Sequence, residues 1–146
     1  MTDHADHPAD ALETVLAAVP GTLIERLGIE FVEVSAERLV ATMPVAGNTQ
    51  PYGLLHGGAS VALAETLGSF GAMLAAGEGR VAVGVDINAT HHRAARSGVV
   101  TAVATALQTG RTLASYEVVV SDDAGRRVCT ARITCLLRDA VPGSSG

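Results

Sequence analysis

The sequence predicts an α+β fold in which an antiparallel sheet curls around one long central helix. Two observations carry this prediction: the strand-like runs are grouped together, and one long apolar run stands alone at residues 58–76. In a parallel α/β sheet, by contrast, strands and helices alternate along the chain. Tight-turn residues between the last three strand-like runs, at Gly110 and at 122–125, favour antiparallel hairpins.

The first elements follow from residue spacing. Apolar residues recur at helical intervals over residues 10–19, where Pro20-Gly21 ends the helix, and a short helical turn is expected at 24–27. The runs at 29–34 and 38–43 are β-type and predict a hairpin. Four further strands are predicted near the end of the chain, at residues 81–90, 99–107, 113–120 and 127–137.

The long apolar run is predicted to be the central helix. Turn-forming residues at 47–53 lead into it, and Gly77 and Gly79 end it. Nearly every side of this helix is apolar or small, so we expect it to be buried all round, with its small residues admitting a strand or a second subunit. Glu65 at its centre and the lack of a basic flank favour a core helix over a membrane span.

Composition and charge narrow the classes of function. The 146 residues suit one domain, expected at 11–138 between tails at 1–10 and 139–146. The 10 basic residues, all arginine, stand against 15 acidic ones, and the net charge of -5 is opposite to that usual for nucleic-acid-binding proteins. Aromatic residues, at 3%, are too few to stack on bases. The sequence therefore predicts neither nucleic acid nor a membrane as a partner.

No metal or disulfide framework is expected. Cys129 and Cys135 lack the CxxC spacing of zinc and redox sites and are interpreted as small apolar residues on one face of a strand. His91 and His92 are adjacent, so they point to opposite faces of a strand. The first residues lack the basic segment and apolar run of a secretory signal, and we expect a cytoplasmic protein.

Two features of the long helix suggest chemistry. An ionised Glu65 among apolar and small residues must be paired, hydrogen-bonded or neutralised, so it is either a core glutamate or a functional carboxylate, with Ser69 one turn later on the same side. His56-Gly57-Gly58 stands where the loop enters the helix, and the first N–H groups of a helix are free to bind an oxyanion. The same glycines would also suit a tight turn alone.

These residues fall within a recognisable run. The segment NTQPYGLLHGGASVALAET at 48–66 resembles the signature of hotdog-fold acyl-CoA thioesterases. It is most similar to the branch with a helix glutamate, which includes 4-hydroxybenzoyl-CoA, phenylacetate-pathway and enterobactin-proofreading thioesterases. The resemblance extends from about residue 20 to 137 and includes DINATHHR at 86–93, Gly110-Arg111 and the turn at 122–125.

The resemblance implies roles for individual residues. Glu65 matches the catalytic carboxylate, which attacks the thioester or activates a water, and Gly57 matches the glycine whose N–H polarises the thioester oxygen. Gln50 and His56 match the pair that positions the carbonyl or the water, and Ser69 matches a hydroxyl beside the carboxylate. Two further matches line the acyl pocket in relatives: Phe70 and His91. In this family two subunits form the site, so Glu65 is expected to face the loop of its partner.

Arginines near the predicted site have two interpretations. Arg93 and Arg111 could hold the phosphates of coenzyme A or of a phosphopantetheine arm on a carrier protein, or be solvated charges at strand ends. The resemblance therefore implies a thioesterase for aryl- or medium-chain acyl-CoA that needs no cofactor, since coenzyme A enters only as part of the thioester substrate. Acyl-carrier-protein substrates and a non-catalytic acyl-binding module are the alternatives, while the differently spaced motifs of hotdog hydratases are absent. We expect a homodimer, and a dimer of dimers is plausible.

Overall fold

A computed structural model describes residues 8–143; the predicted tails lie partly outside this range, at 1–7 and 144–146, and the predicted domain limits stay a prediction. Each predicted element is present, with bounds within two residues of those expected. In chain order the elements are α1 (Pro8–Ala17), α2 (Leu23–Leu27), β1 (Glu30–Val34), β2 (Arg38–Pro44), α3 (Gly57–Ala76), β3 (Arg80–His91), β4 (Val99–Thr109), β5 (Leu113–Ser121) and β6 (Arg127–Asp139).

The six strands form one antiparallel sheet in the order β1-β2-β4-β5-β6-β3. α3 lies along one face of this sheet and packs against β2 to β6. Side chains on alternate positions of β4, β5 and β6 face α3 and make the core with it. The α+β class and the single long helix are therefore confirmed.

Glycines allow α3 to approach the sheet closely. A Cβ atom added at Gly68 would overlap the side chain of Ile133 on β6, and one added at Gly71 would lie 2.7 Å from the ring of Tyr116 on β5. That ring is fully buried, and its hydroxyl donates a hydrogen bond of 2.6 Å to the carbonyl oxygen of Ala36. The small residues of this helix thus admit strand side chains, as one of the two sequence interpretations expected.

The expectation that α3 is buried all round is wrong for the single subunit. Its sheet-facing side is buried, but Glu65 is exposed, and Ser69 and Phe70 are only half-buried. The physical reason is that one curled sheet covers only one side of a helix. By length and composition α3 could cross a membrane, yet half of its most apolar window is buried in the protein, as in a core helix.

β3 forms one edge of the sheet. Its inner side pairs with β6, and no strand within residues 8–143 pairs with its outer side. It is 12 residues long and carries three exposed valines: Val81, Val83 and Val85. A long apolar edge of this kind is a template for pairing with another strand.

Candidate active site

The loop before α3 is held by hydrogen bonds to backbone carbonyl groups. The side-chain amide of the buried Asn48 donates to the carbonyl oxygens of Leu27 and Pro44, both at 2.8 Å. The N–H of Gln50 donates to Leu54, and the N–H of His56 donates back to Asn48. These bonds fix the loop, so the position of the first turn of α3 is set before any ligand arrives.

His56 is the N-cap of α3. Its Nδ1 accepts a hydrogen bond of 2.8 Å from the N–H of Gly58, so in the neutral ring the proton is on Nε2. The side chain is exposed. His56 therefore caps the helix with Nδ1 and leaves Nε2–H as a possible donor to a ligand.

The N–H of Gly57 is left without an acceptor among the described residues 8–143. It stands at the first position of a 20-residue helix, where the helix dipole favours negative charge. A Cβ atom at this position would lie 3.0 Å from Nε2 of His91, at the end of β3, so the glycine lets the imidazole ring lie against the helix start.

A cavity of about 390 Å³ opens at this end of the helix. The structure here brings together four of the predicted site residues, two from the loop and helix start, one at the end of β3 and one just after it: Gln50, Gly57, His91 and Arg93. His92 lines the same cavity, and its Nε2 lies 2.9 Å from the hydroxyl of Thr130. This end of the site combines N–H and imidazole donors with a cationic side chain.

Glu65 lies at a second place, on the open side of α3. Its Oε1 lies 3.7 Å from where a Cβ of Gly84 would stand, so the carboxylate faces β3 at the bulge between Gly84 and Asp86. Two cavities flank it, one of about 220 Å³ lined by Gly84 and Ile87, and one of about 600 Å³ that also reaches Ser69 and Phe70. The ring of Phe70 packs edge-on against Phe31, with centroids 5.4 Å apart.

Cys135 lies behind Glu65. Burial raises the pKa of its thiol, and the nearby Glu65 charge acts in the same direction, while a hydrogen bond with Ser69 partly opposes them. Neither Cys135 nor Gly84 was predicted from the sequence to lie at the site, although a glycine inside a strand is a known signal of a bulge or a close approach.

The two halves are too far apart to act together within one chain. Gly57 and Glu65 are eight residues apart on one helix, which is about 12 Å along the axis. Arg111 lines none of these three cavities. It stands in the turn between β4 and β5, and its carbonyl oxygen accepts a hydrogen bond of 2.9 Å from Nη2 of Arg80. Its predicted role, like those of the other site residues, stays a prediction.

Within the described part of the chain, no group of three or more His, Cys, Asp or Glu side chains could hold a metal ion. The donor set near α3 consists of an amide N–H, an imidazole, a carboxylate and a hydroxyl, which suits polarisation of a carbonyl group and activation of a water. The chemistry supported by this set is attack on an activated acyl group.

Comparison with known proteins gives matches to thioesterases. Residues 52–129 match the model of the thioesterase superfamily. The chain is 49% identical over 124 residues to the proofreading thioesterase EntH of Cronobacter turicensis, covering 84% of this chain and 90% of the relative.

Solved structures of thioesterases superpose on this chain. A thioesterase from Haemophilus influenzae superposes with a TM-score of 0.85 at 38% identity, covering 91% of this chain and 94% of the other. A mutant thioesterase from Pseudomonas aeruginosa superposes with a TM-score of 0.84 at 42% identity, covering 88% and 94%. The chain therefore belongs to the thioesterase superfamily, has the hotdog fold, and is a thioester hydrolase.

Proposed function

We propose that this enzyme hydrolyses aryl- or medium-chain acyl-CoA thioesters to the free acid and coenzyme A, at a site formed by two subunits. The observation that carries the proposal is the placement of two complementary groups on α3: the exposed carboxylate of Glu65, and the N–H of Gly57, which has no acceptor within residues 8–143. One chain holds them about 12 Å apart, so a single subunit lacks a complete site.

Gly57 is the proposed oxyanion donor. Attack on the thioester places negative charge on the carbonyl oxygen, and a fixed N–H at that oxygen stabilises the transition state by about 2.7 to 4 kcal/mol. The dipole of α3 adds to this. Gln50 lines the same cavity and, with Nε2–H of His56, would hold the carbonyl group or the water in place.

Glu65 is the proposed base or nucleophile. As a base, it takes a proton from water while the water oxygen bonds to the carbonyl carbon, and collapse of the tetrahedral intermediate breaks the C–S bond and releases the thiolate, which takes up a proton. As a nucleophile, it forms an anhydride with the acyl group and expels the thiolate, and water then cleaves the anhydride. Both routes consume one water and give the same products.

A two-fold symmetric dimer would complete the site. Glu65 lies beside Gly84 and Gly57 lies beside His91, so α3 and β3 run in opposite directions past each other. If a two-fold axis brings Glu65 to the partner's Gly57, it also places Gly84 opposite the partner's His91. That arrangement pairs the two open β3 edges antiparallel, around Ile87 and Asn88, and satisfies their free backbone groups.

The test uses Glu65→Gln and a free-thiol assay with a panel of aryl- and straight-chain acyl-CoAs. The variant keeps shape and removes the charge, so we expect the fold and dimer to persist and turnover to fall by about a hundredfold or more. Acyl-carrier-protein thioesters form a second panel. Wild-type turnover by Glu65→Gln would remove Glu65 from the mechanism, and inactivity of the wild type on the first panel would remove coenzyme A as the carrier.

A hybrid experiment tests the shared site. Glu65→Gln and Gly57→Pro subunits, each expected to be inactive alone, are co-expressed with different tags. In a hybrid dimer one site carries both defects and the other is intact, so random pairing should return about a quarter of wild-type activity. If each site were built within one chain, every site of the hybrid would carry one defect and no activity would return.

We also propose that the enzyme works in the cytoplasm. Cys129 and Cys135 are free and buried, as suits a reducing compartment.

A further inference from the structure

We propose, building on the acyl-CoA thioesterase function above, that Arg80 selects acyl groups that carry a carboxylate at the end remote from the thioester. Arg80 lines the 600 Å³ cavity that begins at Glu65. The preferred substrates would be CoA monothioesters of medium-chain dicarboxylic acids.

The cavity has the shape of an acyl pocket with a charge at its far end. From Glu65 it follows α3 past Ser69 to Met73, two turns and about 12 Å along the axis. On β3 it is lined by residues 80–82, with Arg80 at the end farther from Glu65, which lies beside Gly84. Its walls include Leu23, Ile24 and Phe70, and the charged residues that line it are Glu65 and Arg80.

Neighbouring backbone groups hold the guanidinium of Arg80. Its Nη2 donates to the carbonyl oxygens of Arg111 at 2.9 Å and Leu137 at 3.3 Å, and its Nε donates to Asp139 Oδ1 at 3.3 Å. Within residues 8–143, Nη1 has no acceptor. Two N–H groups thus stay available to a ligand on a cation that is already oriented.

The ion pair with Asp139 compensates this charge only weakly. The Arg80 side chain is 26% exposed, whereas that of Asp139 is 92% exposed and is therefore strongly screened by water. A carboxylate entering along the cavity would meet a guanidinium on a side chain that is only 26% exposed, and a charge-assisted hydrogen bond is stronger away from water. A methyl terminus at the same place would leave Nη1 without an acceptor from the ligand.

The experiment compares matched substrates that differ only at the remote end. Adipoyl-CoA is compared with hexanoyl-CoA, and suberoyl-CoA with octanoyl-CoA, in wild type and in Arg80→Met. We expect the wild type to favour one or both dicarboxylic members by about tenfold or more in kcat/KM, about what one charge-assisted hydrogen bond supplies. Arg80→Met should lose this preference through a higher KM for the dicarboxylic member alone.

The control variant is Arg138→Met. Arg138 is an exposed arginine on β6, opposite Val81 of β3, and does not line the cavity. It should keep the wild-type preference. Retained hydrolysis of octanoyl-CoA by Arg80→Met shows that the variant folds; should it not fold, Arg80→Lys, which keeps the charge but shortens and repositions it, is expected to weaken the preference instead.

The outcomes separate the two proposals. If the wild type hydrolyses both members of each pair equally, or if Arg80→Met keeps the preference, then Arg80 only links neighbouring strand ends. The proposed selection of a remote carboxylate would then be wrong. If the wild type hydrolyses neither these acyl-CoA pairs nor the aryl- and straight-chain acyl-CoA panel, the proposed acyl-CoA thioesterase function is itself wrong.

Discussion

Replacing Gly57 by proline, with alanine as the matched control, isolates one N–H group. Proline is well accommodated at the first position of a helix, because the missing N–H has no helical partner there. The preceding residue, His56, has φ -65° and ψ 130°, which is the extended conformation that proline requires before it. The backbone of α3 should therefore accept proline at residue 57.

The alanine control accounts for the steric part of the change. Both replacements add a Cβ atom, which would stand 3.0 Å from Nε2 of His91 and must gain a few tenths of an ångström. The His91 side chain is exposed, so the ring should move more readily than the helix. A displacement of this size should cost about tenfold or less in kcat/KM, because a misplacement of about 1 Å costs about a hundredfold.

Proline should cost far more than alanine, because it also removes the donor. The loss of one oxyanion donor raises the barrier by about 2.7 to 4 kcal/mol, so kcat for Gly57→Pro should lie a further hundredfold to a thousandfold, roughly, below that of Gly57→Ala. Free-thiol release measures kcat, and circular dichroism and sedimentation check the fold and the assembly. Equal kcat values for the two variants would refute the assignment of Gly57 as the oxyanion donor.

Two further predictions concern stability, both measured by urea denaturation. Gly68→Ala should lower the free energy of unfolding by about 1 to 3 kcal/mol through overlap with Ile133, and adding Ile133→Val should recover part of this loss; no loss would contradict the close packing. Burial raises the pKa of Cys129 and Cys135 above 9.0, so the folded chain keeps thiol protons that the unfolded chain releases. Stability should therefore fall as pH rises past 9.0, and less steeply in the double Cys→Ala variant; equal slopes would contradict this.

Local sequence patterns predicted the elements well for identifiable reasons. The long helix begins at His56-Gly57-Gly58 and ends at Gly77, and the two hairpin turns contain Gly110 and residues 122–125. Each boundary therefore depends on a few adjacent residues. Strand order depends on contacts between distant segments. The position of β3 at an open edge beside β6 therefore appears only in the tertiary structure.

The site divides in the same way. Gln50, His56 and Gly57 are neighbours in the sequence, and the caps and hydrogen bonds between them are local, so their grouping is visible without coordinates. The contact of His91 with Gly57 and that of Glu65 with Gly84 join the helix to β3 across residues far apart in sequence. No local pattern specifies those contacts.

The fold class, the catalytic family and the residue types of the candidate site were predictable from the sequence, because helix spacing, turn residues and the segment at 48–66 are all local in the chain. Tertiary structure decided the exposure of Glu65, which the apolar helix had suggested to be buried, since one sheet can cover only one side of α3. It also placed Arg80 at the cavity, because that position depends on the packing of β3 against α3 and on backbone carbonyls of Arg111 and Leu137.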